Sequence, residues 1–316
     1  MFDRWSEIEI PDQSGRVAVI TGGNGGLGFE TARALAAAGA HVVMAARNLD
    51  KAESARDVIV GAHPAASVEI VGLDLGSLDS VSEAASTIAR THPRIDLLIN
   101  NAGIMAVPEA RTADGFESQF GTNHLGHFAL TAGLLPALLA VAGSRVVTVT
   151  STGRHLGRSV RADRDLDTGR YDPWLAYGRS KLANLHFAMG LHRRLTAAGG
   201  ATASLAAHPG LTNTELQATS AASSGGATQK LAHTTARFVG MSPARGALAQ
   251  LRAATDPRAR SGQLYAPRFV NSGSPVARPL VGRSVSQRAA DELWAISERE
   301  TGVAFDVEAM VRQAGP

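Results

Sequence analysis

Short, nearly continuous apolar runs alternate along the chain with longer segments in which apolar residues recur every three or four positions. Six runs read as strands: Arg16–Thr21, His41–Ala45, Val68–Gly72, Ile95–Asn100, Arg145–Thr150 and Ala201–Ala207. They are rich in β-branched residues and bounded by turn formers, as expected of strands buried on both faces. Between them Leu27–Ala38, Leu49–Val60, Ser77–Arg90, Asp114–Ala140 and Pro173–Ala197 carry the helical period. Ser77 suits an N-cap, Pro173 a first turn and Gly39 a helix stop. Strand–helix alternation with right-handed crossovers predicts an α/β fold, a doubly wound parallel sheet with helices on both faces. A single domain is expected over residues 15–316, preceded by an arm, residues 1–14. The Ser/Ala/Gly-rich stretch Thr219–Gln229 lies in a loop at about 215–240, after the sixth strand, where such sheets bind ligands. It reads as a substrate-covering lid or as a passive linker. Val270–Arg283 reads as irregular surface chain.

Composition narrows the function classes. With 44% apolar and 19% charged residues the chain is globular, and a net charge of +3 without basic clusters among aromatics argues against nucleic-acid binding. There is no cysteine, which excludes disulfides, thiol catalysis and cysteine-ligated metals and suits a reducing, cytoplasmic setting. Met1–Gln13 contains Asp3, Arg4, Glu7 and Glu9, unlike a signal peptide. The longest apolar run, Phe128–Ala142, is too short to span a bilayer and contains Pro136, so no membrane anchor is expected. Without a His-Glu-x-x-His pattern, His124, His127, His155, His186 and His208 are expected to have packing or surface roles, and no metal is expected.

The first strand ends in Thr21-Gly22-Gly23-Asn24-Gly25-Gly26-Leu27-Gly28, and a helix follows at once. A pyrophosphate needs free backbone N–H groups, the positive end of a helix and a backbone without obstructing side chains, which this junction supplies. The second strand ends in Ala46-Arg47-Asn48, with no acid to accept from a ribose 2′-hydroxyl. Arg47 there is a fork of donors suited to a 2′-phosphate, or else a surface partner of Asp50.

The spacing Gly22-x-x-x-Gly26-x-Gly28 resembles that of the short-chain dehydrogenase/reductase family, and four further motifs follow in the family's order, from Arg16 to about Tyr265. They are Leu73-Asp74-Leu75, Asn100-Asn101-Ala102-Gly103, Tyr177-Gly178-Arg179-Ser180-Lys181 and His208-Pro209-Gly210-Leu211-Thr212-Asn213-Thr214. The resemblance implies a Rossmann-type fold and a cofactor site, NADP(H) in preference to NAD(H) given Arg47. That site would comprise Gly22, Asn24, Gly26, Leu27, Gly28, Arg47, Asn48, Asp74, Leu75, Asn101, Ala102, Gly103, Tyr177, Lys181, Pro209, Gly210 and Thr214. Asp74 would meet the adenine amino group and Thr214 the carboxamide.

Tyr177 and Lys181 are four apart and share a helix face, so a cation can favour the phenolate of a group whose ordinary pKa is ~10. Ser151, closing the fifth strand, can donate to a carbonyl oxygen on which charge develops. By resemblance the catalytic set is Asn123, Ser151, Tyr177 and Lys181, with Asn123 holding a water against Lys181, and Tyr177 exchanging a proton as hydride moves between the nicotinamide and a small-molecule carbonyl or alcohol. The interval between Ser151 and Tyr177 is long and of mixed charge (Arg154, Arg158, Arg161, Asp163, Arg164, Asp165, Asp167, Arg170, Asp172). With Asn123-His124-Leu125-Gly126-His127-Phe128, it resembles the retinol-dehydrogenase-like branch. An epimerase or dehydratase on the same fold, or a non-enzymatic NADP(H) sensor, are the competing readings. Family members often pair through the helices placed here at Asp114–Ala140 and Pro173–Ala197, so a homodimer or homotetramer is a reasonable expectation.

Overall fold

Eight strands form one sheet: β1 (Val17–Thr21), β2 (His41–Ala46), β3 (Ser67–Gly72), β4 (Leu97–Asn100), β5 (Arg145–Val149), β6 (Ala203–Ala207), β7 (Leu264–Pro267) and β8 (Pro275–Arg278). The computed structural model describes residues 4–157, 171–212, 241–280 and 286–315. Strand order is β3-β2-β1-β4-β5-β6-β7-β8, parallel throughout except for the antiparallel last pair. The order reverses between β1 and β4, paired through Ala18–Leu97 and Ile20–Ile99, and the crevice beyond their carboxyl ends is where such sheets take ligands.

Helices α1 (Gly26–Ala37), α2 (Leu49–Ala62) and α7 (Pro243–Thr255) cover one face, where Leu35, Ile59 and Leu251 meet Ile20, Val42 and Ile99. On the other, α3 (Leu78–Thr91), α5 (Gly126–Leu139) and α6 (Pro173–Ala197) bury Ile88, Leu134 and Leu191 against Val19, Val43 and Leu98. No helix among the described residues is long and apolar enough to cross a membrane.

Several elements differ from expectation. Residues 114–140 are not one helix: a single turn, α4 (Ser118–Phe120), and a π-helical turn, Gly121–Leu125, precede α5. Asp114 stands outside because its carboxylate accepts the Leu78 N–H at the start of α3 (3.0 Å). The stretch 270–283, expected to be irregular, contains the edge strand β8. In the N-terminal arm Trp5 is buried in the α1/α2 core and Glu7 pairs with Arg33 (2.7 Å). The expected lid, Thr214 and the charged residues from Arg158 to Arg170 lie outside the described residues.

Two helices complete the described chain, α8 (Gln287–Thr301) and α9 (Val307–Ala314). They lie on α5 and α6. Trp294 stacks on Phe187 with ring centroids 5.8 Å apart and meets Phe128 edge-on at 5.2 Å, Phe305 packs on Phe128 at 5.3 Å, and the Arg194 guanidinium sits 4.1 Å above Trp294.

Candidate active site

The turn after β1 is shaped by contacts that forbid side chains. Gly22 sits at φ +68° and donates to the Ala45 carbonyl (2.8 Å). A methyl group on Gly28 would fall 2.0 Å from the Gly22 carbonyl oxygen, so α1 approaches β1 as only glycine allows. Gly25 is the N-cap of α1, and no side chain caps the helix. The first-turn N–H groups of Gly26, Leu27 and Gly28 therefore have no acceptor within the helix, which fits a bound pyrophosphate.

Thr21 joins this turn to the loop after β4. Its hydroxyl oxygen accepts the Asn101 and Ala102 N–H groups (2.9 and 3.0 Å), and the Asn101 amide donates to the Thr21 carbonyl (2.9 Å). Gln250 of α7 donates to the Asn101 side-chain oxygen Oδ1 (3.1 Å), and Asn100 donates to Thr131 of α5 (2.9 Å). The short amides of this tetrapeptide thus fix the strand end.

At the carboxyl ends of β2 and β3 the side chains divide. Arg47 is exposed, and no ion pair joins it to Asp50 among the described residues. Asn48 caps α2, accepting the Lys51 N–H (2.8 Å). Asp74 accepts the Gly76 N–H with one oxygen (2.9 Å), leaving the other for a ligand. The Leu75 side chain is buried in the core, and its carbonyl abuts Gly126, so only its backbone can face a cofactor.

Asp172 accepts from the N–H groups of Trp174 and Leu175 and starts α6, which carries Tyr177 and Lys181 on one buried face. The Lys181 ammonium lies 5.9 Å from the Tyr177 ring centroid and donates to the Val149 carbonyl at 3.3 Å. Burial pushes its pKa down to about 8. Burial raises the Tyr177 phenol, opposed by a hydrogen bond from Ser151. Desolvation thus outweighs the Ser151 hydrogen bond, and the phenol is not depressed as expected. Ser151 caps the 3₁₀ turn Thr152–His155, accepting the Gly153 N–H (3.1 Å). That turn lies close on α6, where a methyl on Gly153 would be 2.9 Å from the Tyr177 ring and one on Gly157 2.3 Å from the Gly178 carbonyl oxygen. This contact brings Ser151 to the phenol.

Asn123 occupies the π turn, not a long α-helix. Its amide donates to the Ile104 carbonyl and the Ser180 hydroxyl (both 2.9 Å), and its side-chain oxygen accepts the Ile104 N–H (2.8 Å). Its side chain therefore pins the loop after β4. Gly103 leaves the space between Asn123 and Lys181, since a methyl there would lie 2.8 Å from the Asn123 oxygen and 3.2 Å from the ammonium. Gln119, which the sequence did not single out, does the same one step on: its oxygen accepts the Ala106 N–H (2.8 Å), holding Ala106 at φ +48°, and its amide donates to Tyr171 and to the Pro173 carbonyl (both 2.9 Å). Its signal was a polar residue beside Phe120 at the head of an apolar helix. After β6, Gly210 turns at φ +79° and donates to His208 (3.3 Å), and Pro209 is half-buried beside it.

Residues 16–224 match the family model of the short chain dehydrogenases. Human retinol dehydrogenase 13 is 42% identical over 211 residues, 67% of this chain and 62% of the relative, and mouse retinol dehydrogenase 11 is 42% identical over 67% of this chain and 65% of its own length. The chain thus spans less than two thirds of these curated relatives. Among solved structures, an uncharacterised protein from Mycobacterium paratuberculosis is 42% identical with a TM-score of 0.78, covering 96% of this chain and 99% of its own. A candidate NAD(P)-dependent gluconate 5-dehydrogenase from Beutenbergia cavernae, with NADP bound at low occupancy, is 28% identical with a TM-score of 0.58, over 77% of this chain and 90% of its own. Five motifs in the family's order meet at one sheet edge, and the chain belongs to the short-chain dehydrogenase/reductase family, on the side of its retinol dehydrogenases.

Proposed function

We propose that this protein transfers hydride between NADP(H) and a carbonyl or alcohol, with Tyr177 donating the proton in reduction and accepting it in oxidation. The convergence of Ser151, Tyr177 and Lys181 on one buried face carries this reading. Bound NADPH would supply the hydride, and the oxidised form would take it up. Tyr177, held protonated by burial, suits donation to an oxygen gaining charge, while Ser151 aligns that oxygen and stabilises it. Lys181 keeps donors free for ribose hydroxyls, and its charge helps the phenol lose its proton in the oxidative direction. Trp174, edge-on to Tyr177 at 6.3 Å, and the exposed Leu156 favour a moderately apolar ketone, aldehyde or alcohol, retinoids among them.

Arg47, free of Asp50 and at the end of β2, supports a preference for the 2′-phosphate. We place the activity in the cytoplasm. Pairing through α5 and α6 is disfavoured because α8 and α9 cover them.

Calorimetric titration with NADPH and NADH at one salt concentration tests the cofactor assignment. Tighter NADPH binding, lost by roughly tenfold or more in Arg47→Ala, is expected, since charge-assisted hydrogen bonds contribute about 1.5–3 kcal/mol each. Equal affinities would overturn the Arg47 role alone. Tyr177→Phe should keep NADPH affinity and lose about 10²–10⁴-fold in kcat on aldehydes and ketones. A variant that kept full activity would remove Tyr177 from the chemistry, and one that kept biological function without turnover would favour the sensor.

A further inference from the structure

Two histidines far apart in sequence meet one carboxylate at the opposite end of the sheet. His41 opens β2, Glu69 lies in β3 with Ser67 registered opposite His41, and His92 is the C-cap of α3. Nε2 of His92 lies 2.8 Å from Glu69 Oε2, and Nε2 of His41 lies 3.3 Å from the same oxygen. The imidazole centroids are 5.0 Å apart, and one ligand atom from each residue falls within 4.8 Å of the others. We propose that His41, Glu69 and His92 form a binding site for a divalent transition-metal ion, zinc foremost.

The chemistry fits in four respects. Two imidazole nitrogens and a carboxylate oxygen are a borderline donor set, suited to Zn²⁺, Co²⁺ or Ni²⁺ over Mg²⁺ or Ca²⁺. Tetrahedral bonds of about 2.0–2.1 Å put ligand atoms about 3.3 Å apart. The His41–Glu69 separation already has that value, and the His92–Glu69 contact needs to open by about half an ångström on a flexible glutamate stem. His41 Nδ1 is 2.7 Å from Ser67 Oγ, the outer partner that fixes ring orientation in metal-binding histidines. With Nδ1–H donating to Ser67, Nε2 presents its lone pair to the carboxylate, and a cation between them resolves the repulsion. Finally, His41 and Glu69 are about 30% exposed and His92 13%, so an ion has an entry path and room for water as a further ligand.

The six residues of β2 separate this cluster from Arg47 by about 20 Å, so the ion takes no part in hydride transfer. Its role is structural: it clamps the edge strand β3 and the start of β2 to the C-terminal end of α3. The proposal is independent of the catalytic reading above.

Tag-free protein stripped with chelator is titrated with ZnCl₂ at pH 7.5 in a weakly coordinating buffer. One saturable equivalent is expected, with an accompanying rise in Tm. His92→Ala and Glu69→Gln should each weaken uptake at least about tenfold while leaving NADPH binding intact, which shows that the variants fold. Absence of saturable uptake, or uptake unchanged in His92→Ala, overturns the site. Wild-type protein loaded with Co²⁺ gives a second reading that needs no variant: an intense visible band of four-coordinate cobalt supports the site, and the weak spectrum of the hexa-aqua ion overturns it.

Discussion

The Thr21 hydroxyl lies 2.8 Å from Nε2 of His127. On its other side the imidazole meets the Asn123 carbonyl, with Nδ1 2.9 Å away. A carbonyl cannot donate, so Nδ1 carries the proton and Nε2 accepts from Thr21. Thr21 in turn accepts two N–H groups from the loop after β4. One buried chain of hydrogen bonds therefore links the turn after β1, the loop after β4 and the backbone of Asn123.

Thr21→Val removes that hub while keeping its volume. The Asn101 and Ala102 N–H groups would lose their acceptor and His127 its donor, and each buried orphan costs about 1–3 kcal/mol. We expect a stability loss of about 3 kcal/mol in urea unfolding and weaker NADPH binding, both recovered in Thr21→Ser. Wild-type stability in Thr21→Val would show that the chain of bonds is idle.

Acid sensitivity follows from the same histidine. Burial pushes His127 down to about 4 and His124 and His208 to about 3, from an ordinary 6.5. Between pH 6.5 and 4 the unfolded chain binds protons that the folded one refuses, so stability rises with pH across this window and is level just above it. Each group contributes a slope of up to about 1.4 kcal/mol per pH unit. Carboxylates lowered by partners, such as Asp256, act below their ordinary value of 3.8 and add to His124 and His208 there. Unfolding midpoints should thus fall steeply from pH 6.5 to 4. A flat profile there would mean that these rings are solvated.

Lys181 illustrates a conflict between stability and chemistry. Its folded pKa of about 8 lies below the ordinary 10.5, so the unfolded state binds more protons between these values and stability rises with pH through that range. Below pH 8 the full penalty of the buried ammonium is present. The shift of about 2.5 units sets a ceiling of about 3 kcal/mol. Lys181→Met should therefore be more stable than wild type at pH 7 by about 1–3 kcal/mol in the absence of nucleotide, while losing turnover. A destabilised variant would show that the bond to the Val149 carbonyl outweighs desolvation. Above pH 10 the trend reverses, because the raised Tyr177 phenol keeps a proton that the unfolded chain loses.

The six strands β1–β6 and α6 were legible because apolar runs and the Pro173 first turn are local signals, although β3, at the sheet edge, is only half-buried. The edge strand β8 was not: it begins at Pro275 and contains Arg278, and it forms only because β7 offers an antiparallel partner. Helix α7 went unread although it had a readable start in Ser242-Pro243, whose serine caps it. In the site, glycines and the Tyr-x-x-x-Lys pair were visible as patterns. The roles of Gln119, His127 and Ser180 depend on partners 13, 106 and 57 residues away, which no spacing rule reaches. The same distance hid His41 and His92, each unremarkable alone.

Family-style pairing would use the outward faces of α5 and α6, but Trp294 and Phe305 occupy the aromatic surface formed by Phe128 and Phe187. The expected state by light scattering is a monomer, or an assembly whose cross-links avoid these two helices. Trp294→Ala should cost about 3–5 kcal/mol, the range for deleting a large buried aromatic, and uncover Phe187 and Phe128. Freed apolar surface of that kind drives association, so the variant should sediment as larger species in proportion to its concentration. A wild-type dimer cross-linked through α5 and α6 would mean that the C-terminal helices yield their place in solution, and that the face they cover is a switchable one.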